Sequence, residues 1–195
     1  KIPYLRDLGV THVQLLPVAA FDEQDVPASV AALGLANYWG YSPVALASPH
    51  PGYATSPDPA PPEDEFRSMV DAFHAAGIGV LLDVVLNHTA EGGADGPVLN
   101  FKGLMPGEFY HRNGNAFRDY TGCGNTINTN HPLVTRLIVQ TLRIWAEERH
   151  VDGFRFDLAS VFVRGSDGAP LEQPPAPWTI EQALPGMPLI AEPWD

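Results

Sequence analysis

Val151-Asp152-Gly153-Phe154-Arg155-Phe156-Asp157-Leu158 is the stretch whose reading decides the fold. Side chains alternate along a strand. Phe154, Phe156 and Leu158 are therefore expected on one face, suited to packing under helices. Arg155 and Asp157 fall on the other, at the strand's C-terminal end. A buried charge needs a partner, so Arg155 is placed to keep Asp157 ionised and aimed. On this stretch alone a structural ion pair is the simpler reading.

Working outward, strands alternate with helices or long crossovers. Residues 1–8 read as the end of a helix, with Ile2, Leu5 and Leu8 on one face and Gly9 as its stop. Val10 to Pro17 reads as a strand, rich in apolar and β-branched residues. Residues 19–37 read as loop, and Tyr38-Trp39-Gly40-Tyr41 as the start of a second short strand. A helix follows over about 62–76: Glu63, Asp64 and Glu65 favour its N-terminal dipole, and Phe66, Met69, Val70 and Phe73 recur on one face. Ile78 to Asn87 is a nearly continuous apolar run, as in a parallel strand buried on both faces. The Gly- and Asn-rich stretch 89–130 has no sustained period and reads as an insertion. From about His131 to His150 runs a helix with Asn130 as its N-cap and Val134, Leu137, Ile138, Leu142 and Trp145 as its apolar face. After 151–158 the last strand is Pro188 to Glu192. The prolines clustered at 57–62 and 174–188 read as rigid loops.

Five strands joined in this way predict an α/β fold with a parallel sheet. Three segments follow: 1–88 and 131–195 as the sheet-and-helix body, and 89–130 as an inserted loop subdomain walling a cleft. The strongest polar groups, Asp83 to His88, Arg155, Asp157 and Glu192, sit at strand C-terminal ends, where barrels and doubly wound sheets place their sites. No G-x-G-x-x-G turn follows the first strand, which weighs against a dinucleotide.

Composition narrows the partners. The chain has 195 residues, enough for one domain, and 45% are hydrophobic, enough for a sizeable core. Its net charge of −12 disfavours nucleic acid and anionic membrane. No run approaches the roughly 20 apolar residues of a membrane span. The one cysteine, Cys123, excludes an internal disulfide framework and favours a reducing, cytoplasmic compartment. The opening Lys-Ile-Pro, without an initiator methionine, reads as an excerpt of a longer protein.

Asp157 and Glu192 end successive strands and form a candidate carboxylate pair for glycoside hydrolysis, one as nucleophile or base and one as proton donor. Pro193 and Trp194 beside Glu192 are expected to raise its pKa by desolvation, while Arg155 keeps Asp157 charged. Asp83-Val84-Val85-Leu86-Asn87-His88, Gly153-Phe154-Arg155-Phe156-Asp157 and Ala191-Glu192-Pro193-Trp194 together resemble three successive signature segments of the α-amylase superfamily (glycoside hydrolase family 13), in that family's order. The resemblance implies a partial (β/α)8 TIM-type barrel, roughly its first five strands, with an irregular insertion after the third. It implies a retaining mechanism on α-linked glucans, with Asp157 as nucleophile, Glu192 as acid/base and Arg155 orienting Asp157. His88 and Tyr41 would bind the sugar before the scissile bond, and Asp83 would brace the site.

Asn37-Tyr38-Trp39-Gly40-Tyr41-Ser42-Pro43, Thr121 to Asn130 and Ala191-Glu192-Pro193-Trp194-Asp195 look like the isoamylase and glycogen-debranching branch. Pullulanases usually read Gly-Glu-Gly-Trp around the acid. This implies hydrolysis of α-1,6 branch linkages in glycogen, amylopectin or limit dextrin, without a cofactor. The alternatives are another α-glucan-active enzyme, such as an α-amylase or transglycosylase, or a silent glucan-binding paralogue. Calcium, which family members often bind near Asn87, is not expected, because no acidic cluster supplies its roughly 6–8 oxygen ligands. Trp39 reads as a core aromatic, and Lys102, Arg112 and Arg118 as solvated loop charges. The family's third catalytic acid follows a later strand, so residues 1–195 alone are expected to be inactive.

Overall fold

The computed structural model describes residues 1–55 and 61–194. Asp195 and most of the Pro-rich stretch 57–62 lie outside the described residues. In chain order the elements are α1 (Ile2–Asp7), β1 (His12–Leu15), β2 (Ala19–Phe21), α2 (Ala28–Ala31), β3 (Pro43–Pro49) and α3 (Pro62–Ala75). Then come β4 (Gly79–Val84), α4 (Phe101–Leu104), α5 (Pro106–Phe109), β5 (Arg112–Asn113) and β6 (Ala116–Phe117). The last are α6 (Pro132–Arg143), β7 (Gly153–Phe156), α7 (Pro175–Ala183) and β8 (Leu189–Ala191).

Four strands form one parallel sheet in the order β1-β4-β7-β8, and each step crosses over through helix or loop. This arrangement of parallel strands and crossovers is that of a partial (β/α)8 barrel. The alternation expected for 151–158 sets its two faces. Val80, Leu82, Val84, Phe154 and Phe156 pack outward against Phe66, Val70, Ile138, Leu142, Trp145 and Ile180 from α3, α6, α7 and the turn after α6. The inner face carries Leu81, then Asp83, Arg155 and Ile190 in one register layer. Gly153 is required there: a Cβ would lie 2.6 Å from the Pro188 carbonyl oxygen and 2.8 Å from Leu81 Cδ2.

Several expectations are corrected. Among the described residues the parallel strands number four, not five. If the three signature segments end strands three to five of a barrel, β1 corresponds to strand two. Tyr38 to Tyr41 is irregular; β3 begins later, at Pro43, and pairs antiparallel with β2 in a separate ribbon. Gly40 breaks the extended backbone, because it sits at φ +84°, where a Cβ would also lie 2.7 Å from the Pro17 carbonyl oxygen. Leu8 lies beyond α1 and is exposed. The proline cluster at 174–188 contains α7, since Pro175 and Pro177 occupy its first turn, where helical N–H groups have no partner anyway.

Asn130 does not cap α6; His131 holds that position without a side-chain bond. Asn130 instead donates to the carbonyls of Phe162 and Arg164, each at 2.8 Å, and accepts from the Ala176 N–H at 2.8 Å. It fastens the start of α7 to the loop after β7. Within 89–130, Phe109, Tyr110 and Ile127 join the same core as the sheet.

Candidate active site at the carboxyl ends of the strands

Arg155 is the hub. It leaves β7 on the inner face, opposite Asp83 on β4, and its Nη1 lies 2.8 Å from both Asp83 carboxylate oxygens. The same nitrogen donates to Asp157 Oδ1 at 3.3 Å, and Nη2 pairs with Glu192 Oε1. One guanidinium thus touches three carboxylates from three adjacent strand ends. Burial opposes its charge, and the carboxylates more than offset that, holding Arg155 above its ordinary pKa. Asp157 and Glu192 therefore share one face and one edge of the sheet.

Asp157 lies just past β7, its N–H bonded to the Val84 carbonyl. Leu158 follows in the left-handed region, φ 43°, so it ends the alternation that would have continued the strand. That turn aims the Leu158 N–H at Glu192 Oε2, 2.9 Å away. Trp194 Nε1 donates to Glu192 Oε1 at 2.8 Å. With Arg155, three donors face the Glu192 carboxylate.

The two pKa shifts run opposite to the expectation. Burial raises the Asp157 carboxyl above its usual range; Asn87 opposes this, and the nearby Asp83 and Glu192 charges add to the rise. For Glu192 burial acts upward too, but it is outweighed by the Leu158 N–H, Arg155 and Trp194, so the carboxyl lies below its usual range. Trp194 meets Glu192 with its N–H edge and is itself exposed, so it does not desolvate the acid.

Tyr41 donates from its hydroxyl to Asp83 Oδ2 at 2.6 Å. Burial, and then Asp83, push its phenol pKa up. Asp83, nearly fully buried, thus braces Tyr41 and Arg155 together. His88 is buried with both ring nitrogens engaged: Nε2 with the Tyr41 carbonyl at 2.9 Å, and Nδ1 with Asn87 Oδ1. Burial lowers its pKa, with the Tyr41 carbonyl opposing. The two expected sugar contacts are therefore fixed to each other, and a sugar reaching His88 Nε2 must compete with the Tyr41 carbonyl.

Two residues take parts that sequence reasoning missed. Asn87 Nδ2 donates to Asp157 Oδ2 at 2.6 Å and to the Asp157 carbonyl at 2.8 Å, so it fixes the carboxylate's rotamer. Its place in the Asp83–His88 segment was the available signal. Trp39, expected in the core, is 59% exposed and stands edge-on to Tyr41 with centroids 6.4 Å apart. Among the described residues no group of three or more His, Cys, Asp or Glu is placed to hold a metal ion.

Residues 1–95, which include Tyr41, Asp83 and His88, match the family described as alpha amylase, catalytic domain. A pullulanase from Paenibacillus barengoltzii, solved with maltohexaose and alpha-cyclodextrin, is 30% identical at a TM-score of 0.77, covering 100% of this chain and 29% of its own. A pullulanase from an Anoxybacillus species, complexed with maltotriose, is 32% identical at a TM-score of 0.79, covering 98% of this chain and 26% of its own. The type I pullulanase of Bacillus subtilis, complexed with maltose, is 33% identical at 0.77, covering 98% and 25%. The chain thus spans between 25% and 29% of the length of these three relatives. Together these likenesses support a place in the α-amylase superfamily of glycoside hydrolases.

Proposed function

From the likeness to α-amylase catalytic domains and to pullulanases, we propose that this chain carries the main catalytic residues of a retaining hydrolase of α-1,6 branch linkages in glycogen- or amylopectin-type glucans. The observation that carries the reading is the single cation, Arg155, joining Asp157 and Glu192 at one open strand edge. Asp157 is the nucleophile: its carboxylate attacks the anomeric carbon while Glu192 protonates the departing glycosidic oxygen. The covalent glycosyl-enzyme is then hydrolysed, with Glu192 taking the proton of the attacking water. Asp83, Arg155 and Asn87 position Asp157. Tyr41 and His88 receive the sugar on the non-reducing side of the bond, where the Tyr41 ring offers an apolar face to sugar C–H groups. Residues 89–130 wall the cleft.

The debranching assignment is supported by the pullulanase neighbours, which are α-1,6 debranching enzymes. The glycogen-type branch is supported by Ala191-Glu192-Pro193-Trp194 in place of a pullulanase-like Gly-Glu-Gly-Trp. Intact Asp157 and Glu192 weigh against a silent binding role.

Reducing-end release by the whole protein from glycogen, pullulan and linear maltodextrin is the test. The expected order is glycogen above pullulan, with linear chains far below. Equal turnover of linear chains would replace the debranching assignment with an α-amylase or transglycosylase one. Asp157→Asn should abolish turnover and retain glucan binding. Glu192→Gln should lose a factor of about 10²–10⁴, the usual share of general acid–base catalysis.

A further inference from the structure

Lys102 is not the solvated charge expected of a loop lysine. Its Nζ donates to the backbone carbonyls of Glu91 at 3.0 Å, Gly96 at 2.8 Å and Gly93. The Phe117 ring covers it, 5.4 Å from centroid to nitrogen. The loop between is wound too tightly at Gly96 for a side chain: a Cβ there would lie 2.2 Å from the Glu91 carbonyl oxygen.

Glu91, 1% exposed, could have been the obvious partner for this ammonium, yet the two form no salt bridge among the described contacts. The Glu91 carboxylate instead accepts the N–H groups of Leu99 at 2.7 Å, Asn100 at 2.9 Å and Lys102 at 3.0 Å, and the Tyr110 hydroxyl. Those bonds hold Glu91 below its ordinary pKa against a burial that acts upward. Carboxylate and ammonium thus divide the loop's backbone between them, one taking donors and the other acceptors. Asn100 Nδ2 anchors the loop on the Val44 carbonyl of β3 at 2.7 Å. Asn125 ties Thr89 and Gly92 from the other side.

We propose that the loop 91–102 contains a carbonyl-lined cation site filled by the protein's own ammonium, with Lys102 doing for this rim what a bound ion does in other loops. Once vacated, the site takes a small ammonium cation and not a divalent metal. Three neutral carbonyls supply no negative charge, the Glu91 carboxylate is already committed to hydrogen-bond donors, and Asp95, the loop's other carboxylate, is exposed and forms no salt bridge with Lys102 among the described contacts. A divalent ion such as calcium requires more oxygens, several of them anionic.

The test uses thermal unfolding and proteolysis of the whole protein, so its outcome is separate from any result on glucan hydrolysis. The wild type should melt at the same temperature with and without a chelator. Lys102→Met, which keeps the stem and removes the charge, leaves three carbonyls unsatisfied and should melt about 5 °C lower. It should also be cut about tenfold faster between residues 92 and 99. Lys102→Ala should regain part of its lost melting temperature in methylammonium chloride and less in calcium chloride. A Lys102→Met protein that melts like the wild type would overturn the proposal. So would a Lys102→Ala protein restored best by calcium, or by neither salt.

Discussion

Asp157 and Glu192 show how a residue's role depends on atoms its own sequence neighbours do not reveal. With Asp157 raised and Glu192 lowered, the substrate-free site works against the arrangement that the proposed mechanism needs, a charged nucleophile and a protonated acid. Substrate must therefore change it. In the proposed mechanism a leaving-group oxygen at Glu192 would displace the donors from Arg155 and Trp194, and losing them would return the carboxyl toward its ordinary value. In the free protein burial and the neighbouring carboxylates favour the protonated form of Asp157, while the Leu158 N–H, Arg155 and Trp194 favour the charged form of Glu192. Carboxyl-carbon NMR titration checks this: Asp157→Asn should remove a titration lying above the ordinary aspartate value, and Glu192→Gln one lying below the ordinary glutamate value. The opposite assignment would mean that the Leu158 and Trp194 bonds to Glu192 do not persist in solution. The inversion was not legible in the sequence, because it hangs on the left-handed turn at Leu158 and on which edge of an indole faces the acid.

Elements with sustained periods were legible: α3, α6, β4 and β7 lie where apolar spacing places them, because a buried stripe fixes both type and face. The excursion from Pro17 to Pro43 was not, since a positive φ at Gly40 and long-range backbone bonds set its path. Helix α7 was hidden by prolines that break helices anywhere but the first turn. What holds α7 in place is the Asn130 side chain, with three bonds at 2.8 Å to two other segments. Asn130→Ala leaves two carbonyls and an N–H unsatisfied in a buried place and should cost about 1–3 kcal/mol, measured by denaturant unfolding. A change within experimental error would mean that α7 is held by its apolar contacts alone.

At the scale of the molecule, the sheet is open. Among the described residues β1 and β8 each pair on one side only, and Leu16, just after β1, and Ile190, within β8, are 48% and 43% exposed. Apolar strand edges of this kind recruit other strands. The polypeptide 1–195 expressed by itself should therefore self-associate, seen by light scattering behind size exclusion and by binding of an apolar dye. A monomer with a sharp cooperative melt would contradict this. The partial barrel and the edge that carries its site were legible because the three signature segments each end a strand. The strand count was not, since a short apolar stretch such as 38–41 reads alike as a barrel strand or a loop.

A guanidinium shared by three carboxylates has a genetic consequence. Arg155 cannot respond to the loss of one partner without moving relative to the other two, so substitutions at Asp83, Asp157 and Glu192 will not add. In a double-mutant cycle on the whole protein, Asp83→Asn and Glu192→Gln should show a coupling energy of roughly 0.5–3 kcal/mol in stability, the range for members of one ion-pair network. Strict additivity would mean that the two carboxylates hold Arg155 independently. If the coupling is present, single substitutions around this cluster will misstate each residue's share, and only combined variants will apportion it.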